Sequence, residues 1–509
     1  MQRRTSVGIA TVTLVLGLAA CADSTSPADT TGGSGDTSTG TDVGTTGVGT
    51  TGPDPDSGSE SGDDSNTTGP EPLPDVWEPG VLLPSDEQPH PRGLLDRRGL
   101  IHTHSPFSHD ACDEMPRDRE GNLNAQCVQD LRRALCQVRH DFVMLTDHRE
   151  SFSTSEFPDV LLHDPERGDT LLERDGMAVG NWASCDTEAP GVAPTLVLAG
   201  CEAATMAVAL PQHAPGRGET YGQTTPAAIA ELKDTGAVVL VAHTEDWETQ
   251  ELIDMDIDGF EMFNLHANLF ANFAAGLEII NLALNDPEAL PHSDLVIMPI
   301  FSEDPVYLER WGTVLSQGVQ RVTTAGTDAH RNTFMELLPD GERLDSYRRM
   351  MHWFSNHLLV EDDGEGGFDD RALATALRSG RLYAAFEHLG YPRGFDASAT
   401  SGDVTTEIGG QVAMADGLQI NATAPTVRRL DPNATAPVVT VHVLRAIDGG
   451  FEEVAAGDDA LAWTVDEPGA YRVEVRITPH HLQGYLGSYE ALADTPRVWI
   501  YANPIYVVP

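Results

Sequence analysis

The chain is 509 residues long and carries 79 acidic against 31 basic side chains, for a formal net charge of −48. This length allows more than one domain, and the acidity excludes nucleic acid as an expected partner, because binding a phosphate backbone requires a basic surface. A polyanionic substrate would be repelled at long range unless metal ions and arginines reverse the local field.

Residues 1–21 have the pattern of a bacterial lipoprotein signal peptide. A basic Arg3-Arg4 pair precedes an apolar run from Val7 to Leu18, which is shorter than the roughly 17–25 residues of a membrane-spanning helix. The run ends in Leu-Ala-Ala-Cys, which resembles a lipobox and predicts lipidation at Cys21. The protein is then expected to be exported and lipid-anchored in the cell envelope, at the outer membrane or cell surface. The alternative is an ordinary cleaved signal in which Cys21 is incidental.

Residues 22–74 predict a disordered linker. They are almost entirely Thr, Gly, Ser, Asp and Pro and show no apolar periodicity, so they cannot bury enough surface to fold. As a flexible coil the segment would span about 40 Å. It would hold the folded body away from a membrane that is contacted through the lipid anchor only.

Residues 75–396 alternate apolar strands with amphipathic helices, which predicts βα repetition around a parallel sheet. The predicted helix–strand pairs are Cys127–His140 with Phe142–Leu145, Thr225–Thr235 with Ala237–Ala242, and Pro305–Gln317 with Val319–Ala325. The segment Arg149–Pro194 is rich in Asp, Glu, Gly and Pro and is interpreted as a long loop, plausible as a lid over a site.

Residues 397–509 predict a small antiparallel β-sandwich. The segments Val438–Leu444, Tyr471–Ile477 and Arg497–Tyr501 alternate apolar and polar residues between Gly, Pro and Asp turns. This domain carries no cluster of catalytic residues. Its expected role is to pack against the first domain or to bind a partner.

Five cysteines remain after lipidation of Cys21, which in an exported protein predicts up to two disulfides and one free thiol. Cys112, Cys127 and Cys136 flank a predicted helix, whereas Cys185 and Cys201 bracket a loop. We expect pairing within each group.

Short histidine and carboxylate motifs follow the predicted strands. They are His102-Thr-His104, Thr146-Asp147-His148, Gly200-Cys-Glu202, His243 and Asp328-Ala-His330. In an α/β barrel the carboxyl ends of the strands face a common site, and imidazoles with carboxylates suit borderline divalent metals. These histidine and carboxylate side chains are more than a single metal ion needs as ligands. The pattern therefore predicts a multinuclear metal centre, which usually performs hydrolysis.

Each motif has a simpler alternative. His102 and His104 point to the same side of a strand end, but two surface histidines would have the same spacing. Asp147 and His148 follow a buried strand, where a charged pair is costly unless paired or metal-bound; the alternative is a strand-to-loop salt bridge. A carboxylate such as Glu202 can bridge two ions, which a histidine cannot.

Taken in order, these motifs resemble those of the polymerase and histidinol phosphatase (PHP) family, over residues 98–395. The resemblance implies an α/β fold, a distorted (β/α)7 barrel, with two or three divalent ions, zinc, manganese or iron. It implies that His102, His104, Glu202 and Asp328 hold one ion, Glu202 and His243 a second, and His148 and His330 a third. His109 and His213 are candidates for two further family ligands.

The resemblance predicts a metal-dependent hydrolase, a phosphoesterase that uses metal-activated hydroxide on a small-molecule ester, with Asp147 as a catalytic carboxylate. Arg149 and Arg331 directly follow two metal motifs and are the predicted substrate-binding groups, because arginine matches phosphate oxygens. Each arginine could instead pair with a nearby acid, such as Glu150 or Glu336.

Two other functions remain open. The closing segment Trp499–Tyr506 looks like the tail of extracellular members of the family, some of which resemble a carbaryl-hydrolase-like branch that cleaves carbamate or ester bonds. A non-catalytic, metal-dependent surface binding protein is the alternative outside enzymes, although an intact ligand set disfavours it.

Overall fold

A computed structural model describes residues 73–85, 92–362, 364 and 366–509. The predicted signal peptide, Cys21 and almost all of the predicted linker lie outside these residues. The described helices are α1 (Ala111–Glu114), α2 (Ala125–Val138), α3 (Arg149–Phe152), α4 (Gly218–Tyr221), α5 (Pro226–Asp234), α6 (Thr249–Asp254), α7 (Leu265–Ala271), α8 (Phe273–Asn285), α9 (Pro305–Ser316), α10 (Tyr347–His352) and α11 (Asp370–Arg378). Short 3-10 helices cover Asp159–Leu161, Pro165–Arg167, Thr244–Asp246, Pro287–Ala289, Ser293–Leu295, Glu387–Leu389, His480–Tyr485 and Gly487–Asp494.

The strands fall into an N-terminal and a C-terminal set. The first set is β1 (Leu94–Ile101), β2 (Phe142–Leu145), β3 (Thr170–Arg174), β4 (Met177–Ala183), β5 (Thr195–Glu202), β6 (Met206–Leu210), β7 (Val238–Val241), β8 (Gly259–Asn264), β9 (Val322–Gly326), β10 (Ser355–Glu361) and β11 (Leu382–Ala385). The second set is β12 (Pro392–Arg393), β13 (Asp396–Ser401), β14 (Val404–Glu407), β15 (Gln411–Ala413), β16 (Gln419–Thr423), β17 (Thr426–Val427), β18 (Val438–Ile447), β19 (Gly450–Gly457), β20 (Ala460–Thr464), β21 (Gly469–Thr478), β22 (Arg497–Ala502) and β23 (Ile505–Val508).

The N-terminal strands form a mixed sheet rather than the purely parallel sheet that the βα pattern predicts. β1, β2 and β5 pair in parallel, as do β7, β8 and β9. β6 lies antiparallel between β5 and β7 and joins the two sets. An isolated parallel bridge links Thr103, after β1, to Ala329, after β9. These pairings bring the carboxyl ends of β1, β2, β5, β7 and β9 to the same region.

Helix starts in this part of the chain are fixed by side chains that satisfy the otherwise unpaired backbone N–H groups. The Asn124 side chain accepts a hydrogen bond from Cys127 N at the start of α2, and Thr225 accepts one from Ala228 N at the start of α5. Both helices match their predicted positions to within two residues. Their apolar sides are buried, with Leu131 and Leu232 fully enclosed.

The segment Arg149–Pro194 is not the long structureless loop that we predicted. It contains α3 and the antiparallel hairpin of β3 and β4, and β4 extends the sheet by pairing with β5. The hairpin turns at Asp175-Gly176, where both residues have positive φ. An Asp-Gly pair between apolar segments is a strong hairpin signal, and the sequence interpretation overlooked it.

The C-terminal strands pair mainly antiparallel, in agreement with the predicted character of this region, although β15 and β23 pair in parallel. One sheet contains β14, β13, β16 and β20. In the other, β18 pairs with β19 and β21, and β21 pairs with β22 and β23. β22 also pairs with β11, so this second sheet is continuous with the N-terminal sheet. The described residues belong to one compact unit.

Two disulfides are present, and one of the expected pairings is wrong. Cys112 pairs with Cys127 as expected, but Cys136 of α2 pairs with Cys185, at a Cα–Cα distance of 5.4 Å. Cys201 is a free, buried cysteine inside β5. The error arose because Cys185 and Cys201 are close in sequence, whereas the end of β4 lies against α2.

Within the described part of the chain, no single helix combines the length and hydropathy of a membrane span. The consecutive helices α7 and α8 meet that test only when taken together, and they are bent by 88° at the break between them.

Candidate metal centre

The strand ends bring seven of the nine predicted metal ligands into two adjoining groups. The first group is His102, Glu202, His243 and Asp328, and the second is His104, His148 and His330. Within each group one ligand atom per residue lies within 4.8 Å of every other. His104 belongs to the second group by this criterion, but its Nε2 also lies 3.2 Å from Asp328 Oδ1 and 3.1 Å from Glu202 Oε2 of the first group, so the predicted sharing of one ion by His102 and His104 stays a prediction.

In the first group, imidazole nitrogens face carboxylate oxygens. His102 Nε2 lies 3.2 Å from Asp328 Oδ1, and His243 Nε2 lies 3.3 Å from both Asp328 Oδ2 and Glu202 Oε1. Two imidazoles and two carboxylates therefore present four ligand atoms to one small volume, which is a donor set that suits a borderline divalent cation.

In the second group, two imidazoles face each other across a carboxylate. His148 Nε2 and His330 Nε2 are 3.4 Å apart, and Asp110 Oδ2 lies 3.3 Å from each. The His104 and His330 rings stack with centroids 3.8 Å apart. Asp110 was not predicted, and it gives this group the anionic ligand that three histidines alone lack.

Glu202 contacts both groups. Its Oε1 faces His243, while its Oε2 lies 3.1 Å from His104 Nε2 and 3.5 Å from His148 Nδ1. Glu202 is the last residue of β5, and a backbone bridge pairs it with His148. This placement agrees with the prediction that Glu202 is shared between ions.

Four of the histidines are oriented by a partner on Nδ1. His102 Nδ1 lies 2.7 Å from Glu261 Oε1, His104 Nδ1 lies 2.8 Å from Ser108 Oγ, and His330 Nδ1 lies 3.0 Å from the Asp328 carbonyl oxygen. His243 Nδ1 lies 3.2 Å from Glu245 Oε1. With Nδ1 engaged in this way, Nε2 of each ring is directed at the centre, as in many histidine-ligated metal sites.

Several ligand atoms in the two groups have no hydrogen-bond partner although they are buried. They are His102 Nε2, His104 Nε2, Glu202 Oε2 and Asp328 Oδ1, which lie close to one another without the alignment of a hydrogen bond. Buried polar atoms without partners are rare and costly in folded proteins. A cation between these atoms would satisfy them together, so the residues fit the predicted metal ions.

The electrostatics of the groups are strongly coupled. Burial acts to lower the pKa of His102, but the carboxylates of Glu261, Glu202 and Asp328 outweigh it and raise that pKa well above its ordinary value. Burial acts to raise the Glu202 and Asp328 pKa values, yet the surrounding imidazoles hold both well below their usual range. A bound ion would replace protons on the imidazoles, so metal affinity would fall at low pH.

Three of these residues have a backbone conformation that L-amino acids rarely adopt. The φ angles of His102, His243 and Asp328 are 82°, 49° and 54°. Such conformations cost on the order of 1–3 kcal/mol each and cluster at functional sites. The unusual turns direct side chains from three different strand ends towards one point.

The structure does not bring His109 or His213 into either group. His109 is exposed, although its ring lies 5.2 Å from that of His148. His213 Nε2 lies 2.8 Å from the Ser155 carbonyl oxygen, and its Nδ1 lies 3.2 Å from the Tyr221 hydroxyl. Because both ring nitrogens of His213 already have partners, its placement does not support a role as a ligand.

Asp147 is directed at a loop rather than at the two groups. Its carboxylate accepts hydrogen bonds from Ser105 N at 2.7 Å, Ser105 Oγ at 2.7 Å and Ser108 Oγ at 2.9 Å. Ser108 in turn contacts His104. We therefore assign Asp147 a positioning role for the loop after β1, in place of the predicted catalytic one.

The two predicted substrate arginines differ in position. The Arg149 guanidinium donates to Glu150 at 2.9 Å, which is the alternative pairing that the sequence left open. Arg331 pairs with Asp130 at 3.1 Å and Asp113 at 3.6 Å rather than with Glu336. Arg331 also lines a cavity together with Asp328 and His330, whereas Arg149 is not among the residues that line it.

Sequence reasoning missed three further groups at this site. Besides Asp110, they are Glu261, which is fully buried within β8, and His266, whose Nδ1 lies 3.1 Å from Asp328 Oδ2. β8 ends at Asn264, and His266 follows two residues later in α7, so a search of the residues after each strand would have found it. A glutamate in the middle of an apolar strand was the available signal for Glu261.

Comparison of the chain with protein-family models, with curated proteins and with solved structures finds no match. The functional assignment therefore rests on the side chains that the strand ends bring together.

Proposed function

We propose that this protein is a metal-dependent phosphoesterase of the PHP type, with two or three divalent ions at the strand ends. The observation that carries the proposal is the convergence of imidazole Nε2 atoms and carboxylate oxygens that are buried, lack other partners and belong to strand ends far apart in sequence. Building such a centre has a cost in backbone strain and buried charge, and a bound cation would offset that cost.

We further propose that the strands around the site form the distorted (β/α)7 barrel of this family. β1, β2, β5, β6, β7, β8 and β9 pair successively, and the Thr103–Ala329 bridge links the segments that follow the first and last of them. A ring of successive pairings is what closure of a sheet requires. The antiparallel β6 would account for the distortion.

The chain supplies distinct roles around the ions. His102, Glu202, His243 and Asp328 would hold one ion, and His104, His148 and His330 with Asp110 would hold another. Ions held there would generate a nucleophile from water at neutral pH and polarise an ester oxygen. Glu261, Ser108 and Glu245 position the imidazoles through Nδ1.

Arg331 supports a phosphoester over a carbonyl ester as substrate. Arg331 lines the same cavity as Asp328 and His330. Its pairing with Asp130 and Asp113 fixes the side chain in place. A fixed cation beside a metal centre matches the charge that develops on phosphoryl oxygens.

A carbamate or carboxylic ester hydrolase is the second candidate. The surface beside Asp328 and His330 carries apolar side chains, among them Leu269, Ile300 and Phe334, which would favour contact with the apolar group of an aryl ester. The two groups would serve either reaction, because bound metal ions stabilise the negative charge that develops on the oxygen atoms of a phosphoryl or a carbonyl group.

The proposal is tested by metal content and hydrolysis together. Purified protein should bind two or three equivalents of manganese or zinc and hydrolyse a generic phosphoester. The double variant His102→Ala, Asp328→Ala should lose most of the metal and the activity. His442→Ala is the matched control, because His442 pairs only with the surface residues Thr440 and Glu453 in the described contacts.

Different outcomes separate the candidate functions. Full metal content in the double variant would refute the metal site. Metal binding without any hydrolysis of phosphoesters, aryl esters or carbamates would favour the non-catalytic binding protein. Faster turnover of carbamates than of any phosphoester would favour the second candidate.

A further inference from the structure

The helices α7 and α8 present apolar side chains to solvent. One side of α8 carries Phe273, Leu277, Ile280 and Leu284, which recur at helical spacing. Three of them are exposed, from 39% for Leu277 to 68% for Leu284, and Ile280 is partly exposed. Phe270, near the end of α7, is also exposed. Exposed apolar side chains are ordinary when scattered singly, whereas a contiguous row of them marks an interaction surface.

The exposed row is not the side of α8 that packs on the protein core. Gly276 and Ile279 are the buried residues of α8, and they lie on a different side of the helix. A surface helix normally has one apolar stripe, which faces the core, and a polar opposite face. α8 therefore has a second apolar stripe that the described residues leave uncovered.

Hydrogen bonds hold the bend between α7 and α8 against the body of the protein. The Asn268 side chain donates to the Ser302 carbonyl oxygen at 2.7 Å. The Asn272 side chain donates to the Ser302 hydroxyl at 2.8 Å and to the Asn268 carbonyl oxygen at 2.9 Å. The apolar row is thus presented by a fixed pair of helices.

Charge distinguishes these helices from the rest of the chain. From Leu265 to Asn285, Glu278 is the only Asp, Glu, Lys or Arg, in a chain whose formal net charge is −48. Together, the two helices also have the length and mean hydropathy of a membrane-spanning segment, although they are bent. The face therefore suits an apolar partner, whereas a basic partner would be attracted to the acidic surface elsewhere.

The predicted lipid anchor would keep a bilayer within reach of this face. The predicted linker, residues 22–74, would span about 40 Å, and it meets the folded body at residues 73–85. A Cβ atom at Gly80 would lie 3.3 Å from the ring of His292, which comes a few residues after the end of α8. Among apolar partners, a bilayer is the one that the chain itself would bring close.

We infer that the outer face of α8, with Phe270 of α7, is a membrane-docking surface whose apolar side chains enter the interface of a zwitterionic lipid bilayer. Helices that lie in this interface bind in proportion to the apolar area they bury. A few side chains give weak, reversible binding, so the lipid at Cys21 would remain the anchor and α8 would set the orientation. His266 of α7 lies 3.1 Å from Asp328 of the first metal group. Docking would therefore hold the strand ends next to the bilayer.

The inference does not rest on the proposed function, because the surface lies outside both metal groups. Vesicle binding tests it on residues 22–509, which lack the predicted signal peptide and lipid but keep every described helix and strand. The protein should cosediment with excess phosphatidylcholine vesicles. The double variant Leu277→Gln, Leu284→Gln should lower the partition coefficient roughly tenfold or more, because two leucines no longer enter the bilayer.

A second double variant, Met177→Gln with Val404→Gln, is the matched control. These residues begin β4 and β14 and are exposed to a similar extent, 45% and 62%. The control should bind vesicles like the unsubstituted protein. Absence of vesicle binding in the unsubstituted protein, or equal partition of the two double variants, would overturn the inference.

Lipid composition and oligomeric state separate other occupants of the face. Replacing part of the phosphatidylcholine with anionic phosphatidylglycerol should weaken binding, because the acidic protein and the bilayer then repel each other. Binding that strengthens instead would assign the contact to cationic side chains elsewhere and overturn the inference. Sedimentation velocity without vesicles should give the same mass for the unsubstituted protein and the Leu277→Gln, Leu284→Gln variant. A dimer that dissociates in this variant would show that the face binds a second copy of the chain instead.

Discussion

Residues that are not themselves candidate metal ligands determine the orientation of the ligand side chains. Glu261 is the strongest example, because its carboxylate contacts His102 Nδ1 through Oε1 and the His243 backbone N–H, at 3.0 Å, through Oε2. It also accepts from the Asn264 side chain at 3.0 Å. One buried carboxylate therefore positions two of the four residues of the first group.

We predict that Glu261→Gln lowers metal affinity by about ten- to a hundredfold, the usual effect of removing such a partner. The amide has nearly the same shape but cannot act as a charged acceptor for the imidazole N–H. Competition with a chromogenic chelator measures the affinity. Glu453→Gln, which alters a surface partner of His442, serves as the control. Equal affinities in the two variants would contradict the positioning role.

A second prediction at the scale of single residues concerns Arg331. If it stabilises charge in the transition state, Arg331→Ala should cost about 2–4 kcal/mol, equivalent to a loss of roughly 30- to 900-fold in phosphoester turnover. Metal content and aryl ester cleavage should remain near those of the wild type. Arg149→Ala tests the other predicted arginine, and Arg217→Ala, at a surface pair with Glu156, is the control. Full phosphoesterase activity in both Arg331→Ala and Arg149→Ala would refute a cationic clamp.

The ligands were more predictable from sequence than their supporting residues. His102, Glu202 and Asp328 follow or end recognisable apolar strands, and the topology of parallel strands then brings them together. Asp110 and Glu261 carry no comparable local signal, because their role depends on which imidazole the fold places beside them. His213 was a candidate because of its position in the chain, and the sequence does not reveal the Ser155 and Tyr221 contacts that engage its ring.

At the scale of elements, the close approach of neighbouring strands is needed to bring the side chains of the site together. Gly326 is the last residue of β9, and β8 and β9 pair in parallel beside it. A Cβ atom at Gly326 would lie 1.9 Å from Glu261 Oε1 and 2.9 Å from His102 Nδ1. Only glycine leaves room for this pair of side chains.

We therefore predict that Gly326→Ala displaces Glu261 from His102 and weakens metal binding, by an amount similar to that in Glu261→Gln. Gly484→Ala is the matched control, because a Cβ atom at Gly484 would meet no atom within 4 Å. Chelator competition and thermal unfolding should be measured on both variants. Metal affinity in Gly326→Ala equal to that of Gly484→Ala would show that the strands tolerate the extra methyl group.

The helices and strands that the sequence predicted best are those with strong periodicity. β2 was predicted without error, and α5 and α9 were each predicted to within one residue at either end. β6 was missed as an antiparallel strand, because the residues that separate it from β5 form a short connection instead of a crossover helix. Periodicity of side chains identifies a strand but does not give its direction in the sheet.

At the scale of the whole molecule, a second buried ionic network lies on β1 and connects it to distant parts of the chain. His357 Nδ1 lies 2.8 Å from Asp96 Oδ1, its Nε2 lies 3.5 Å from Glu387 Oε1, and its ring stacks on Tyr383. Arg98 pairs with the same glutamate at 2.9 Å. The network joins β1, β10 and the segment after β11.

This network predicts a pH dependence of stability. Burial acts to lower the pKa of His357, but Asp96 and Glu387 raise it to about 9. A folded-state pKa above the unfolded value of 6.5 gives stability that is fully present below pH 6.5 and is lost as the pH rises through about 9. The shift corresponds to roughly 3 kcal/mol.

The measurement is chemical denaturation at pH 6 and pH 10 for the wild type and His357→Gln. The wild type should exceed the variant in unfolding free energy by more at pH 6 than at pH 10. His480→Gln, which alters a half-buried pair with Asp494, should show no such difference. A pH-independent gap between wild type and His357→Gln would contradict the prediction.

Attachment to the cell envelope is a prediction for the entire protein. If Cys21 carries the lipid, Cys21→Ser should release the protein from membranes into the soluble fraction, because no other anchor is expected. Fractionation of cells followed by detection of the protein measures this. Continued membrane association of the variant would indicate an uncleaved signal or a membrane-bound partner instead.

The pairing of β11 with β22 limits how this chain can be divided. β11 lies between β10 and β22, and the Phe386 backbone N–H donates to the Trp499 carbonyl oxygen at 2.9 Å. A protein truncated after residue 396 would therefore present β11 as an open edge strand, and an exposed, apolar edge is a template for aggregation. Expression of the chain up to the predicted boundary at residues 396 and 397 should therefore give insoluble protein.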